Sequence, residues 1–268
     1  MIPSALIVED EPEANRLLSL LVQMRGYDTE SAFSGGEALE IVRRHRPDIV
    51  FLDLMLPDTN GFDVCKALKG RRSTDLIPIV MVTARVAAEN RLMSYRVGAN
   101  DYVPKPYTPD QIFDAMSAAD SWRREIAQHS DGGEILLDTR YDVEPFEQIY
   151  RLQSLLLAQT AWEEEAVRKL GLDLISMVQN VLVWGRRHHV ERLASIRYDL
   201  QRDRVTLVVE DQGGWFSCDD LPSEEGIGLL IGQSRFDTVA YSESGSPVSL
   251  SKWLAPGRPP APEGLQPH

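Results

Sequence analysis

Residues 49–62 read IVFLDLMLPDTNGF, a short apolar run that ends in a polar, turn-rich loop. The four apolar residues from Ile49 to Leu52 are too few for a helix and predict a strand buried on both faces of a parallel sheet. Asp53 follows at the carboxyl end of that strand, the edge at which open α/β sheets carry their chemistry. We therefore interpret Asp53 as the acceptor of a phosphoryl group, and the alternative is an ordinary loop aspartate beside a strand.

Short apolar runs alternate with amphipathic segments on both sides of this stretch, over residues 1–128. The alternation predicts an α/β domain with a doubly wound, five-stranded parallel sheet. Thr108, Pro109 and Gln111 predict the start of its last helix, with a capping box. Apolar residues continue at helical spacing over 112–126. This last helix is either a long connector that leaves the domain or a helix packed on its own sheet.

Polar side chains follow four of the five predicted strands, and they are Glu9 and Asp10, Asp53, Thr83, and Lys105. Parallel strands end at one edge, so we expect these side chains to lie close together. Neighbouring carboxylates repel one another unless a divalent cation lies among them, and their hard oxygen atoms suit Mg²⁺. Lys105 and the Thr83 hydroxyl could then contact oxygens of a phosphoryl group.

Four motifs together resemble a response-regulator receiver domain over residues 4 to about 120: Glu9–Asp10, LDLMLPDTNGF around Asp53, VTA at 82–84 and YVPKP at 102–106. The resemblance implies phosphorylation of Asp53 by a histidine kinase or a phosphotransfer protein. It also implies Mg²⁺ held by Asp10, Asp53 and the Met55 carbonyl with Glu9 close by, and a cis Lys105–Pro106 peptide. Thr83 and Tyr102 would be switch residues, although Tyr102 also fits an ordinary half-exposed strand aromatic.

The second half predicts a different domain. A short strand, three helices and two hairpins favour an α+β sandwich in which helices cover one face of a mixed or antiparallel sheet. We place the receiver at 1–128, a hinge at 129–133, the output domain at 134–254 and a disordered, proline-rich tail at 255–268.

Three short boxes in the output domain resemble the histidine-kinase-like ATPase fold, most closely the anti-sigma-factor serine kinases. They are Asn180 on a long helix, Asp211-Gln-Gly213, and Gly226-Ile-Gly228 at a helix start. The resemblance implies ATP binding at these residues. Glycines at a helix start can cradle phosphate through backbone N–H groups, but they also occur in helix entries without a ligand.

Three departures from that family predict a degenerate output domain. Ser176 stands where the family has a catalytic glutamate, Trp215 replaces a glycine, and Ile227 replaces a basic residue. We expect a domain that binds a protein partner of the anti-sigma or anti-anti-sigma type. The alternative is an active ATP-dependent serine/threonine kinase gated by the receiver.

The net charge of -13 and the pI near 4.9 argue against binding to nucleic acid or to an acidic membrane surface. A DNA-binding output needs a helix-turn-helix and a basic face, and the basic residues of 186–197 resemble a solvated helix end. We find no long apolar run or leader, and only two distant cysteines, so we expect a cytoplasmic protein with reduced thiols. The sequence leaves a homodimer open.

Overall fold

The computed structural model describes residues 2–84, 88–127, 132–141, 143–189, 191–201, 204–211, 237–241 and 248–253. The chain divides into two compact units, Met1–Gln128 and His129–His268. No helix in these ranges is both long and apolar enough to cross a bilayer. The cytoplasmic location stays a prediction.

The first unit contains five strands that alternate with five helices. The strands form one parallel sheet in the order β2-β1-β3-β4-β5. The predicted doubly wound fold is thus confirmed. Its elements are β1 (Ser4–Val8), α1 (Pro12–Gln23), β2 (Asp28–Ala32), α2 (Gly35–Arg44), β3 (Ile49–Leu52), α3 (Gly61–Lys69), β4 (Ile79–Thr83), α4 (Ala88–Arg96), β5 (Asp101–Pro104) and α5 (Pro109–Ala127).

Both faces of the sheet are covered, which is why the strands are apolar runs rather than alternating patterns. All four residues of β3 are buried. Alternate strand residues pack against α2 and α3 on one face and against α1 and α5 on the other. The carboxyl ends of β1, β3, β4 and β5 therefore meet at one edge of the sheet.

The last helix of the first unit packs on its own sheet. Four of its buried positions belong to the same core cluster as β1 and β3, and they are Ile112, Ala115, Met116 and Ala119. At its start, Thr108 N donates to Gln111 Oε1 at 2.8 Å, and Gln111 N donates to Thr108 Oγ1 at 3.4 Å. The predicted capping box is present, and residues 112–119 of the helix pack on their own sheet. The role of the later part of the helix as a connector stays a prediction.

The second unit is an antiparallel five-stranded sheet in the order β6-β7-β8-β10-β9, accompanied by two helices. Along β8 and from Ile196 to Leu200 in β7, buried residues alternate with exposed or half-buried ones, and the buried sides of the helices are mostly apolar. This agrees with the predicted α+β sandwich. Its elements are β6 (Gly132–Asp138), α6 (Glu144–Gln159), α7 (Glu164–His188), β7 (Arg192–Leu200), β8 (Arg204–Asp211), β9 (Thr238–Tyr241) and β10 (Val248–Trp253).

The predicted hinge at 129–133 needs a correction, because Gly132 and Gly133 belong to β6. A Cβ at Gly133 would lie 2.3 Å from the Tyr198 hydroxyl, and one at Gly132 would lie 2.7 Å from the Tyr198 carbonyl oxygen. Glycine at these positions therefore lets β6 approach Tyr198 of β7 closely, which is a common reason for glycine in a strand. The other predicted boundaries stay predictions, and the tail at 255–268 lies outside the described residues.

Candidate functional site

Asp53 lies at the carboxyl end of β3 and is 6% exposed. Its backbone N–H donates to Val8 O at 2.9 Å, which ties it to the end of β1. One side-chain oxygen, Oδ1, accepts the N–H of Met55 at 3.0 Å. The other, Oδ2, lies 2.5 Å from Lys105 Nζ. Each oxygen of this carboxylate therefore has its own partner, which fixes the orientation of the group.

Lys105 joins two carboxylates at the sheet edge. Its backbone N–H donates to Thr83 O at 2.8 Å. Its ammonium group also donates to Glu9 Oε2, and Glu9 is 3% exposed. Burial lowers the pKa of Lys105, but the hydrogen bonds that it donates to Asp53 and Glu9 outweigh this, so its net pKa is raised. Lys105 thus stays charged. Burial raises the pKa of Glu9, and Lys105 offsets part of that rise.

The other predicted receiver residues lie along the same edge. Thr83 is the last residue of β4 and is fully buried, whereas Tyr102 in β5 is half-buried against the core. Asp10 is exposed directly after Glu9. The Met55 side chain is 53% exposed. The Lys105–Pro106 peptide is cis, as the resemblance implied. The functional roles assigned to these residues stay predictions.

The donor atoms at this edge are of the type that Mg²⁺ prefers, because they are carboxylate and carbonyl oxygens. Glu9 and Asp53 are held together through Lys105, and Asp10 follows at the exposed rim. Within the described ranges, no three His, Cys, Asp or Glu side chains are already grouped to hold a metal ion. The residues fit a magnesium site in their chemistry, and the assignment of Glu9, Asp10, Asp53 and Met55 as ligands stays a prediction.

Loop residues 54–60 are held against the start of α2, which sequence reasoning did not foresee. Asp58 Oδ1 and Oδ2 accept the N–H groups of Gly35 and Gly36 at 2.9 and 2.8 Å. These bonds to the N–H of Gly36, and then of Gly35, hold the pKa of Asp58 below its usual range. Free N–H groups at a helix start favour a carboxylate, so Asp58 acts as a cap from another part of the chain.

A second residue that sequence reasoning missed is Asn15 of α1, which is 2% exposed. Its side-chain amide donates to Glu9 O at 3.2 Å and to Ile7 O at 3.3 Å. The signal was available, because Asn15 shares helical spacing with the apolar Leu18 and Val22. A polar residue on the apolar face of a helix must find partners inside the protein.

The proposed nucleotide residues of the second unit are only partly described. Asn180 belongs to α7 and Asp211 ends β8, while Ser176 is half-buried one turn before Asn180. Gly213, Gly226 and Gly228 lie outside the described residues, as do the departures Trp215 and Ile227. Their role in ATP binding stays a prediction.

Comparison with known protein families matches both halves. Residues 5–117 match the response regulator receiver domain, and residues 144–252 match the histidine kinase-like ATPase domain. Each match lies inside one of the two compact units. The recognition of a receiver followed by a histidine-kinase-like ATPase domain is confirmed.

Several relatives are transcription regulators. The DNA-binding response regulator MtrA of Mycolicibacterium smegmatis is 33% identical over 224 residues, which cover 78% of this chain and 94% of that protein. The transcriptional regulatory protein BaeR of Escherichia coli is 43% identical over 110 residues, covering 41% of this chain and 45% of its own. A chemotaxis response regulator of Vibrio cholerae, known from its structure, is 27% identical with a TM-score of 0.42 over 44% of this chain and 99% of its own.

These relatives overturn one expectation, the absence of a nucleic-acid partner. MtrA and the Synechocystis regulator RpaA, 31% identical over 60% of this chain and 68% of that protein, are both DNA-binding. The expectation rested on the charge of the whole chain and on the lack of a recognisable helix-turn-helix, and these DNA-binding relatives contradict it. Binding depends on the local field of one surface, which a net charge of -13 does not describe.

Proposed function

The chain belongs to the response-regulator family, and from this premise we propose that Asp53 accepts a phosphoryl group from a histidine kinase or a phosphotransfer protein. Phosphorylation then controls the histidine-kinase-like ATPase domain that follows. The observation that carries the proposal is the contact of 2.5 Å between Asp53 Oδ2 and Lys105 Nζ at the end of a buried strand.

In the transfer step, a carboxylate oxygen of Asp53 forms a bond to phosphorus. The bond between phosphorus and the imidazole nitrogen of a phosphohistidine donor breaks, and its electron pair stays on that nitrogen. The backbone N–H of Asp53 donates to the Val8 carbonyl and its Oδ1 accepts the Met55 N–H, and these bonds orient the carboxylate before the donor arrives. Lys105 is then close enough to pair with a phosphoryl oxygen.

Glu9, Asp10, Asp53 and the Met55 carbonyl would hold Mg²⁺ at this edge. When bound, the ion offsets negative charge on the phosphoryl oxygens. The Thr83 hydroxyl would turn toward the phosphoryl group and donate to its third oxygen. Tyr102 would then move inward. Tyr102 can do so because it is half-buried against the core rather than fixed within it.

The test uses the full chain with a small phosphodonor and Mg²⁺, followed by mass spectrometry. Wild type should gain one phosphoryl group, and Asp53→Asn should gain none. Asp63→Asn is the matched control, because Asp63 is an exposed carboxylate in α3 whose side chain is 65% exposed. A phosphoryl group found on Asp53→Asn, or none on wild type, would refute the assignment.

For the output domain we propose binding of a protein of the anti-sigma or anti-anti-sigma type rather than kinase activity. Ser176 occupies the position of the expected glutamate on α7, and loss of a general base commonly lowers a rate by about 10²–10⁴-fold. The alternative is an active serine/threonine kinase. Calorimetry measures whether Mg-ATP binds, and labelled ATP measures whether phosphate is transferred to candidate partner proteins. A domain that only binds its partner should give no labelled product, whereas an active kinase should.

DNA binding is the second candidate for the output, and the relatives named DNA-binding support it. Fluorescence anisotropy with duplex DNA at two salt concentrations, before and after phosphorylation, tests it. Binding through phosphate contacts should weaken steeply as salt rises. Absence of binding in both states, even at low salt, would exclude this candidate.

A further inference from the structure

Asn15 lies in the middle of the buried face of α1, beside the end of β1. It is 2% exposed and shares that face with Leu18 and Val22. A buried amide costs free energy unless its donors and acceptor are all bonded. The hydrogen-bond partners of the Asn15 amide therefore indicate which parts of the fold this residue holds in place.

The amide nitrogen of Asn15 faces the carbonyls at the carboxyl ends of two strands. Its Nδ2 lies 3.2 Å from Glu9 O, 3.3 Å from Ile7 O and 3.5 Å from Ala32 O. The N–H of Glu9 itself donates to Ala32 O at 3.0 Å. The peptide groups on both sides of Glu9 are thus held, one by β2 and one by Asn15.

The oxygen of the same amide fixes its orientation. Asn15 Oδ1 accepts the hydroxyl of Ser31 at 2.6 Å and that of Ser19 at 3.4 Å. Because both hydroxyls donate to Oδ1, the Nδ2 group at the other end of the amide points toward the strand carbonyls. Reversing the amide would place an oxygen against three other oxygens, which electrostatic repulsion opposes.

We propose that Asn15 is a positioning residue for the phosphoacceptor site. It holds the Glu9 backbone so that the Glu9 carboxylate can form an ion pair with Lys105. The Lys105 ammonium group also forms an ion pair with Asp53 Oδ2. The order of contacts is Ser31, Asn15, Glu9, Lys105, Asp53. This inference rests on the proposed phosphorylation of Asp53 and assigns a residue on α1 that does not touch the reacting atoms.

A purely structural role for Asn15 would be to anchor α1 to the sheet. Loss of that anchor would lower the unfolding free energy, but it would leave the folded site unchanged. A positioning role predicts a change within the folded protein. The measurements must therefore report on Lys105 and on the transfer step, separately from stability.

The test compares Asn15→Leu with Ser19→Ala in the full chain. Asn15→Leu keeps a side chain of similar size but leaves the Glu9 carbonyl without its amide donor. Ser19→Ala removes only the longer of the two bonds to Oδ1. With a small phosphodonor, the maximal rate of Asp53 phosphorylation should fall about tenfold or more in Asn15→Leu. The phosphodonor concentration at half-maximal rate should stay unchanged, and Ser19→Ala should match wild type within about twofold.

The second readout is the ¹⁵N resonance of the Lys105 ammonium group, assigned by its loss in Lys105→Arg. It should shift in Asn15→Leu and stay in place in Ser19→Ala. If Asn15→Leu does not fold, Ser31→Ala removes the bond of 2.6 Å that orients the amide, and it should change both readouts in the same direction.

Wild-type values for rate and resonance in a folded Asn15→Leu, or in Ser31→Ala where Asn15→Leu does not fold, would overturn the inference. If wild type itself takes no phosphoryl group, the proposed function fails. The Lys105 resonance then still decides whether Asn15 positions this cluster, so the two failures are distinguishable.

Discussion

At the scale of single residues, Gly61 controls the path of the loop that carries Asp53. Its N–H donates to Leu54 O at 3.0 Å, which closes the loop. A Cβ at this position would lie 2.2 Å from Asp53 O and 2.9 Å from Leu54 Cα. Both are backbone atoms, so no side-chain movement can relieve such a contact. Glycine is required here for close approach.

We predict that Gly61→Ala displaces the Asp53 backbone, lowers the unfolding free energy by about 1–3 kcal/mol, and slows phosphorylation. Urea denaturation and the rate with a small phosphodonor measure the two effects. Gly36→Ala is the milder control, because its Cβ would lie 3.1 Å from the end of the Asp58 side chain, which can move. Equal effects in both variants would contradict this explanation.

At the scale of elements, α2 and the phosphoacceptor loop stabilise each other through Asp58. The carboxylate accepts two N–H groups at the start of α2. The same helix has its own cap, since Ser34 Oγ accepts the N–H of Glu37 at 3.2 Å. The start of α2 therefore has a local cap and a second one supplied from residues beyond β3.

The lowered pKa of Asp58 predicts a pH-dependent contribution to stability. A carboxylate with a folded pKa below its unfolded value, about 3.9, stabilises fully above that value. The contribution is lost as pH falls through the folded pKa. Wild type should thus be more stable than Asp58→Asn at pH 7, and the difference should vanish in strong acid. Urea curves across this pH range measure it. Asp63→Asn is the control, and its difference should be smaller because Asp63 pairs with Lys66 on the exposed surface.

Trp122 and Arg123, in the second half of α5, both contact other parts of the first unit. Arg123 pairs with Asp48 at 2.9 Å, and the Lys69 ammonium lies 4.8 Å from the ring centre of Trp122. Lys69 also donates to Asp75 O at 2.8 Å, and burial lowers its pKa. A buried ammonium needs such partners, so Trp122 and the Asp75 carbonyl replace part of its water.

We expect Trp122→Ala to release the end of α5 and to lower the unfolding free energy by about 2 kcal/mol. Hydrogen exchange should speed up in the last turns of the helix, while its first turns stay protected by the core. Arg124→Ala serves as the control, because the hydrogen bonds of Arg124 go to Asp120 and Ser121 within the same helix. Unchanged exchange in Trp122→Ala would refute this role for the ring.

At the scale of the whole molecule, each compact unit contains its own sheet and its own buried apolar residues. The first unit buries residues on both faces of its parallel sheet. In the second unit, the apolar residues of β7 and β8 and the apolar sides of α6 and α7 are buried. A unit with its own core can fold by itself.

We predict that residues 1–128 fold alone and still accept a phosphoryl group on Asp53. The described contacts of that residue, to Val8, Met55 and Lys105, all lie within the first unit. Cooperative urea unfolding and mass spectrometry with a phosphodonor measure the two properties. A fragment without a cooperative transition would contradict the independence of this unit.

Local sequence patterns alone determined most of the secondary structure of this protein and the position of its candidate site. The buried runs, their alternation with helices, the cap at Thr108 and the placement of Asp53 and Lys105 after strands follow from periodicity and turn chemistry, which act over a few residues. The family resemblance of both halves could also be read from short motifs. The output boxes at Gly213 and Gly226–Gly228, outside the described residues, remain known only at this level.

Tertiary structure decided the individual contacts. The sequence predicted that Glu9 and Lys105 lie at one edge of the sheet, but not which atoms of the two residues bond. Glu9 and Lys105 are separated by 96 positions and still share a hydrogen bond, and Asp58 caps a helix that begins 23 residues earlier, at Gly35. Gly132 and Gly133, expected in a hinge, lie in a strand because they pair with Asp199 and Tyr198 of β7. Such contacts depend on how separate elements pack, and the spacing of residues along the chain does not encode those distances.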